Sequence, residues 1–291
     1  MVQAYLTLSF DDGFKETYDS TISCLCDRGL NGSYNVITSL VGSTYLNLPL
    51  ASWANWQYAL TKGMEIGSHS VNHCIPVVPL SYNLRVLADS FLHEPNRFSY
   101  LKHVAQNIFI TSHYRGYSAP KMKSDGIAYE VKGSKEEIYR RLGREALSYV
   151  YPGGAYTRAY QACAEAEGYV SARSLVRGFN RLDAPSLFAL KCMPWIRYTT
   201  VETANKWVAA VIQRNGWLIE VYHLVAPHKP ATYHSDFTSV DDFKRHLDYI
   251  CNLRDKGKLQ VDTQENVAIR MCERSLNGKQ RLKDKRIRGG R

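Results

Sequence analysis

The sequence lacks the features that mark membrane, secreted and disulfide-stabilised proteins. No apolar run approaches the ~20 residues that a membrane helix needs. The first residues, MVQAY, have neither the basic start nor the long apolar stretch of a signal peptide. The 7 cysteines are odd in number, and only Cys24 and Cys26 lie close together, without a zinc or redox spacing. These absences favour a cytoplasmic protein with reduced thiols and no membrane contact.

Acidic residues are scarce at the C-terminal end of the chain. The formal net charge is +10 at pH 7. The stretch from Lys279 to Arg291 contains seven Lys or Arg against one Asp, so we expect residues 277–291 to form a basic, disordered tail. Such a tail alone is weak evidence for nucleic-acid binding, and nucleic acid is not the expected partner.

The sequence does contain a regular alternation of strand-like and helix-like segments. Residues 4–10 are apolar and rich in β-formers, residues 16–28 have one apolar face, and similar pairs recur as far as residue 276. This alternation predicts βα units with mainly parallel strands, and six or seven such units favour a barrel over an open sheet. We expect one domain over residues 1–276, with an irregular insertion at about 75–125 where prolines and aromatic residues interrupt the pattern.

Two adjacent acids follow the first predicted strand, in the segment SFDDG at residues 9–13. Active sites of parallel α/β folds are built at the carboxyl ends of the strands. Neighbouring carboxylates such as Asp11 and Asp12 ionise together only where a cation or solvent separates them. A turn explains the same residues equally well, because Asp-Gly is a common turn pair and Asp caps helices.

Two histidines follow another predicted strand, in GSHSVNH at residues 67–73. On a helical turn, His69 and His73 would lie on one face, at a separation that lets both bind one metal ion. Two unrelated surface histidines are the alternative. Together with one carboxylate of the Asp pair, His69 and His73 predict a metal centre with open positions for water and substrate. The other Asp of the pair could then act as general base.

A third candidate is His223, at the end of the apolar strand IEVYH, residues 219–223. It would point toward the same end of the sheet as the acids and could protonate a leaving amine. A hydrogen-bonded histidine of the core is the alternative interpretation.

Four segments, in this order, resemble the motifs of polysaccharide deacetylases: SFDDG, HSVNH, YPGGAY at residues 151–156, and the histidine that ends WLIEVYH. This is the NodB-homology group, carbohydrate esterase family four. The resemblance covers most of residues 3–270, apart from the insertion. It implies one NodB-like domain with a distorted (β/α) barrel of fewer than eight regular units. The implied activity is metal-dependent removal of acetyl groups, N-acetyl first, from an acetylated carbohydrate.

The resemblance also implies a role for each matched position. Asp11 would be the general base and His223 the general acid. The ligands of one divalent ion, Zn²⁺ first with Co²⁺, Ni²⁺ or Mn²⁺ as alternatives, would be Asp12, His69 and His73. Tyr151, Pro152 and Gly153 would line the substrate site, with the backbone N–H of Gly153 donating to the oxyanion.

The chain departs from the family pattern at several positions. The family often has an arginine two residues before the proline of its third motif, where this chain has Val150, and Arg173 is the candidate substitute. The fourth motif, with Asp and Trp, is not clear, because Asp183 and Trp195 lie far apart. Leu224 stands where an Asp often follows the histidine. These departures bear on rate and substrate more than on the metal centre.

Other functions remain open on the same residues. A related hydrolase could act on another non-peptide C–N bond, in a cyclic amide or ureide. A catalytically inactive glycan-binding module is a second alternative, although all five matched acids and histidines are present. A non-haem iron oxygenase also uses two histidines and one carboxylate, but usually on an antiparallel fold.

Overall fold

The computed structural model of this chain describes residues 4–76, 126–183, 186–231, 233 and 236–274. The expected insertion at 75–125 lies almost wholly outside the described residues, as does the expected tail at 277–291, and both stay predictions. None of the described helices has both the length and the apolar character needed to cross a bilayer.

Strands and helices alternate along the described chain, as the sequence pattern predicts. The strands are β1 (Tyr5–Phe10), β2 (Ser33–Val36), β3 (Thr44–Tyr45), β4 (Leu48–Pro49), β5 (Glu65–Ser68), β6 (Ser148–Val150), β7 (Ser171–Arg177), β8 (Asn180–Arg181), β9 (Leu190–Pro194), β10 (Gly216–Tyr222), β11 (Leu224–Ala226), β12 (Phe237–Ser239) and β13 (Gln260–Val261). The helices are α1 (Lys15–Cys26), α2 (Trp53–Thr61), α3 (Ser134–Leu142), α4 (Arg158–Ala166), α5 (Val201–Arg214), α6 (Val240–Asp255) and α7 (residues 264–274).

Seven of these strands close into a parallel barrel in the order β1-β2-β5-β6-β7-β9-β10. The barrel closes because β10 pairs with the whole of β1, from Tyr5 opposite Trp217 to Phe10 opposite Tyr222. On its other side, β1 pairs with β2 only near its C-terminal end, and β13 pairs with it near its N-terminal end. The distorted (β/α) barrel expected from the sequence is therefore confirmed.

The side chains of β1 alternate between two environments, because successive residues of a strand face opposite sides. Its even-numbered residues belong to the large apolar cluster that includes buried side chains of α1, α5 and α6. On the other face, Thr7 Oγ1 accepts from Trp217 Nε1 at 3.0 Å, and Ser9 Oγ accepts from Asn35 Nδ2 at 2.9 Å. The barrel interior is therefore partly polar, and this polar face of β1 leads to the acids that follow the strand.

The N-terminal end of the barrel is closed by polar contacts with the start of α7. The backbone N–H of Gln264 donates to Ser33 Oγ at 2.9 Å, and that of Glu265 donates to Glu65 Oε2 at 3.1 Å. Ser33 and Ser148 also donate to the Glu65 carboxylate, which is buried. Burial raises the pKa of Glu65 although these hydrogen bonds oppose the rise. This end thus contains buried acids of its own, far along the strands from Asp11.

The structure contains strands that the sequence pattern does not predict. The strand β8 and the barrel strand β9 lie between β7 and α5, in a stretch without a periodic signal. The five residues of β9 (LKCMP) contain Lys191 and end in Pro194, so they show no clear period. The β3–β4 hairpin escapes prediction because each of its strands has only two residues.

Candidate metal centre and active site

The carboxyl ends of the barrel strands bring the predicted site residues together. Asp11 and Asp12 follow β1, and the backbone N–H of Asp11 donates to the carbonyl oxygen of Tyr222, at the end of β10, at 2.9 Å. Asp12 has a left-handed backbone, with φ of 70°. The change from extended to left-handed backbone separates the two carboxylates, and each has its own partners.

Asp12, His69 and His73 form a compact group of metal-binding atoms. Asp12 Oδ1 lies 3.5 Å from His69 Nε2 and 3.9 Å from His73 Nε2. The three ligand atoms all lie within 4.8 Å of one another. Tetrahedral ligands with bonds of about 2.1 Å are about 3.4 Å apart, so small side-chain movements fit this group to a divalent ion.

The two histidines meet through an irregular loop. Residues 69–75 contain no helix, and Ser70 and His73 have left-handed backbones, with φ of 70° and 56°. Ser70 Oγ accepts the backbone N–H of His73 at 2.9 Å and fixes the second bend. The expected helical turn is therefore wrong, although the rings do lie together, because left-handed residues at two bends direct both rings toward Asp12.

Each histidine ring is oriented by a hydrogen bond at its Nδ1 atom. His69 Nδ1 lies 2.9 Å from the carbonyl oxygen of Val150. A carbonyl only accepts, so Nδ1 carries the hydrogen and Nε2 is left to bind a metal. His73 Nδ1 lies 3.2 Å from the hydroxyl of Tyr45, on β3. The sequence pattern does not identify Tyr45, because a two-residue strand has no periodic signal.

Burial and mutual charge set the protonation of this group. Burial raises the pKa of Asp12, but the hydrogen bond with His69 and the charges of His223 and His73 lower it to about 2. Burial, followed by the charge of His69, lowers the pKa of His73 to about 4. Burial also acts to lower the pKa of His69, but Asp12 and Asp11 raise it overall. At neutral pH the group therefore contains an ionised Asp12 and a neutral His73, the forms that bind metal ions.

Asp11 is held by a buried arginine from another strand. Arg173 lies on β7, and its Nη2 donates to both carboxylate oxygens of Asp11 at 2.6 Å. Asn35 Nδ2 donates to Asp11 Oδ1 at 2.9 Å. Burial raises the pKa of Asp11, but Arg173 and, to a smaller extent, two nearby histidines lower it below its usual value. A buried cation from β7 thus lies directly beside Asp11.

His223 lies between β10 and β11 at the same end of the barrel. Thr17 Oγ1, on α1, donates to the carbonyl oxygen of His223 at 2.9 Å and accepts the backbone N–H of Val225 at 3.0 Å. The backbone at His223 is therefore fixed by one side chain that no sequence motif contains. His223 Nδ1 is buried and has no hydrogen-bond partner among the described residues. The ring is close enough to Asp11 and Asp12 for electrostatic interaction.

The segment from Tyr151 to Gly153 follows β6, and its three residues have different surroundings. Tyr151 donates its hydroxyl to the carbonyl oxygen of Phe188 at 3.0 Å, and its ring packs against those of Tyr156 and Tyr160. Pro152 is buried. Gly153 has φ of 58°, and a Cβ there would lie 2.9 Å from Ile75 Cδ1, on the loop that carries His69 and His73. Gly153 thus lies beside that loop, where both its backbone and this contact require glycine.

The residues considered for the fourth motif do not meet. Asp183 pairs with Arg181 at the surface, at 2.7 Å. Trp195 is buried behind the barrel wall, with its ring stacked on Tyr222 at 5.3 Å between centroids.

The sequence profile of the polysaccharide deacetylase family matches residues 2–172, more than half of the chain. The chain belongs to the polysaccharide deacetylase family. The match includes Asp11, Asp12, His69 and His73 and ends just before Arg173.

Solved structures of carbohydrate esterase family four share the fold. The Xyl-CE4 domain of a multidomain xylanase, from the hindgut metagenome of Trinervitermes trinervoides, is 14% identical, with a TM-score of 0.51 and 92% of this chain and 90% of that chain covered. A mutant of a family-four pseudoenzyme with restored enzymatic activity is 12% identical, with a TM-score of 0.52 and coverage of 91% and 67%. At these identities the likeness shows the fold alone.

The deacetylase PplD of Streptococcus pyogenes, solved in complex with acetate, is a shorter match. It is 19% identical with a TM-score of 0.44, and the aligned part covers 64% of this chain and 62% of PplD. This chain therefore spans less than two thirds of that relative. No protein with a curated function matches this chain significantly.

Proposed function

We propose that this chain is a metal-dependent hydrolase that removes acetyl groups, mainly N-acetyl groups, from a carbohydrate. One observation carries the proposal: two acids and three histidines meet at the carboxyl end of the barrel in a chain of the polysaccharide deacetylase family. The expected partner is an acetylated carbohydrate.

The metal ligands in this proposal are Asp12, His69 and His73. Two imidazoles and one carboxylate suit Zn²⁺ first, with Co²⁺, Ni²⁺ or Mn²⁺ as alternatives. A bound ion of this kind lowers the pKa of a water molecule and polarises a carbonyl group. The hydrogen bonds of Val150 and Tyr45 to the Nδ1 atoms keep both Nε2 atoms directed at Asp12.

Asp11 is the proposed general base. Arg173 and Asn35 hold its carboxylate in one orientation, and the charge of Arg173 favours the ionised form that accepts a proton from the attacking water. Arg173 contacts the carboxylate and not the substrate, so we assign it a positioning role.

His223 is the proposed general acid, which protonates the departing amine. Thr17 holds the backbone that carries it. The backbone N–H of Gly153 would donate to the carbonyl oxygen of the substrate as negative charge develops there. Asp11 and His223 need opposite protonation states, so we expect a bell-shaped pH–rate profile.

Acetate release from N-acetylglucosamine oligomers and other acetylated glycans tests the proposal. Release should require a divalent ion and stop with a chelator. Asp11→Asn should keep the metal and lower turnover by at least about 10²-fold, whereas Asp12→Ala should lose metal and turnover together. Asp19→Asn is the control, because Asp19 is an exposed residue that pairs with Lys15. An Asp12→Ala variant that is active without metal would contradict the assignment.

The same experiment separates the remaining alternatives. If one equivalent of metal binds but no glycan releases acetate, the proposed metal ligands are retained and the substrate is a compound with another non-peptide C–N bond. If glycans bind but neither metal nor acetate release is found, the chain is a binding module.

A further inference from the structure

A π-helical turn packs against the loop that carries the metal-binding histidines. The turn spans Tyr129–Gly133 and continues into α3. A π turn contains one residue more than an α turn, so it rotates the side chains before it by about 100° relative to those after it. The turn and the residue after it contact this region at two points: Glu130, within the turn, bonds to Asn72 of the loop, and Ser134 Oγ lies 2.6 Å from Ser68 Oγ at the end of β5. Such turns occur frequently at functional sites.

Glu130 contacts the loop on both sides of His73. Its Oε2 accepts the backbone N–H of Asn72 at 2.8 Å, and its Oε1 accepts from Asn72 Nδ2 at 2.9 Å. The side chain of Cys74 also lies close to the Glu130 carboxylate. One carboxylate therefore fixes the residue before His73 through two hydrogen bonds and lies beside the residue after it.

Glu130 is a buried acid whose charge these donors compensate. It is 2% exposed, and among the described residues its hydrogen-bond partners come from this loop, with no Lys or Arg paired to it. A buried charge without partners is strongly unfavourable, whereas a carboxylate that accepts several hydrogen bonds is stabilised. The position of the carboxylate therefore depends on the loop, and the position of the loop depends on the carboxylate.

The loop needs support because its backbone is strained. Ser70 and His73 are left-handed, a conformation that costs energy for residues other than glycine. On the opposite side, the backbone N–H groups of Thr38 and Ser39 donate to the carbonyl oxygens of Ser70 and Val71 at 3.1 and 3.0 Å. These bonds hold the first bend. The second bend is closed within the loop by Ser70 Oγ and held from outside the loop by Glu130.

We propose that Glu130 is a positioning residue for the metal centre. It fixes the loop so that His73 faces Asp12 and His69 before an ion binds. Glu130 acts through Asn72 and touches neither the ligand atoms nor the substrate. The inference rests on the metal-binding role proposed above and adds a residue that no sequence motif contains.

The Zn²⁺ affinity of the full chain, measured by competition with a chelator, tests this role. Glu130→Gln keeps the side-chain shape but offers one acceptor oxygen, and its amide group faces an N–H of Asn72. We expect the Zn²⁺ dissociation constant to rise by about 10- to 100-fold with an unchanged circular dichroism spectrum. The absorption of bound Co²⁺ should also change, because it reports the ligand geometry and not the overall stability.

Glu136→Gln is the matched control. Glu136 lies on α3, its side chain is 66% exposed, and it pairs with Lys132 at 3.8 Å. This variant should bind Zn²⁺ as the unaltered chain does.

A folded Glu130→Gln variant with unaltered Zn²⁺ affinity and Co²⁺ spectrum would overturn the inference. If that variant does not fold, Asn72→Ala replaces it, because this change removes only the side-chain donor to Glu130. Weaker Zn²⁺ binding by Asn72→Ala supports the positioning role, and unaltered binding overturns it. An unaltered chain that binds neither Zn²⁺ nor Co²⁺ overturns the proposed function as well, so the two failures are distinguishable.

Discussion

Single residues set the charge balance inside the barrel, and the pair of Asp11 and Arg173 is the main example. The two side chains are 2% and 0% exposed and joined at 2.6 Å. Removing two charges from water costs about as much as their attraction returns, so the intact pair adds little stability. Loss of one partner is different, because it leaves the other charge buried without compensation.

Arg173→Met should therefore destabilise the protein by about 3–5 kcal/mol. The double variant Asp11→Asn, Arg173→Met should lose clearly less than the sum of the two single changes, because neither buried charge then remains. Urea unfolding at pH 7 measures all three free energies.

Arg177→Met provides the control for this double-mutant cycle. Arg177 lies on the same strand and is 3% exposed, but it donates to the carbonyl oxygen of Pro194 at 3.4 Å. Its effect should add to that of Asp11→Asn. If the effects of Asp11→Asn and Arg173→Met add as fully as those of Asp11→Asn and Arg177→Met, then Asp11 and Arg173 are not coupled.

At the scale of elements, helix α1 joins the acids after β1 to the junction of β10 and β11. The helix begins at Lys15, shortly after Asp12, and Thr17 in its first turn is buried. The two hydrogen bonds of its hydroxyl hold the backbone at His223 and Val225. Asp11 and His223, the proposed base and acid, are therefore connected through one helix.

Thr17→Val removes this hydroxyl with little change of shape. We expect the turnover number for deacetylation to fall by about tenfold or more, since general acid catalysis depends on the position of His223. The Zn²⁺ affinity should not change, because Thr17 contacts no metal ligand. Thr17→Ser should restore turnover. Steady-state kinetics and chelator competition measure the two effects.

Thr21→Val is the matched control, one helical turn later. Thr21 is also buried, but its hydroxyl donates to the carbonyl oxygen of Thr17 and bonds to Tyr34, both at 2.6 Å. It should leave turnover unaltered. An equal loss in both variants would mean that Thr17 acts only through the stability of α1.

At the scale of the whole molecule, the barrel has buried acids at both ends. At the end opposite the metal centre, Glu265 contacts Glu65 through its backbone and pairs with Arg144. Burial, followed by the charge of Glu65, raises the pKa of Glu265 to about 7, although Arg144 acts to lower it. This centre concerns stability and not the proposed chemistry.

The raised pKa predicts that stability falls with rising pH in one window. Between the usual glutamate pKa of 4.5 and about 7, folded Glu265 holds a proton that the unfolded chain has lost. Stability from this group is therefore complete below pH 4.5 and is lost as pH rises toward 7. The slope is at most about 1.4 kcal/mol per pH unit for one proton. Urea unfolding at several pH values measures it.

Glu265→Gln should flatten this pH dependence, because it leaves one group fewer to titrate in the window. Glu165→Gln, an exposed change on α4, should keep it. The assignment to Glu265 is refuted by a profile that stays as steep in Glu265→Gln as in the unaltered chain.

Much of the fold could be predicted because the alternation of long strands and helices is a local property of the sequence. Periods of apolar residues identify β1, predicted over residues 4–10 and observed over Tyr5–Phe10, and α1, predicted over residues 16–28 and observed over Lys15–Cys26. The hairpin of β3 and β4 and the strand β9 could not be predicted in this way. The two hairpin strands pair with each other but are too short to show a period. In contrast, β9 becomes a strand through pairing with β7 and β10, which are separate segments of the chain.

By itself, the sequence determined the chemistry that is available: the order of the motifs, the two acids, the three histidines and the family. Only the tertiary structure decided what holds these groups in place. Asp11 and Arg173 are 162 positions apart, Asn72 and Glu130 are 58 apart, and Thr17 and His223 are 206 apart. Such contacts arise when the barrel closes and excludes water, because buried polar groups must then find partners wherever the fold brings them.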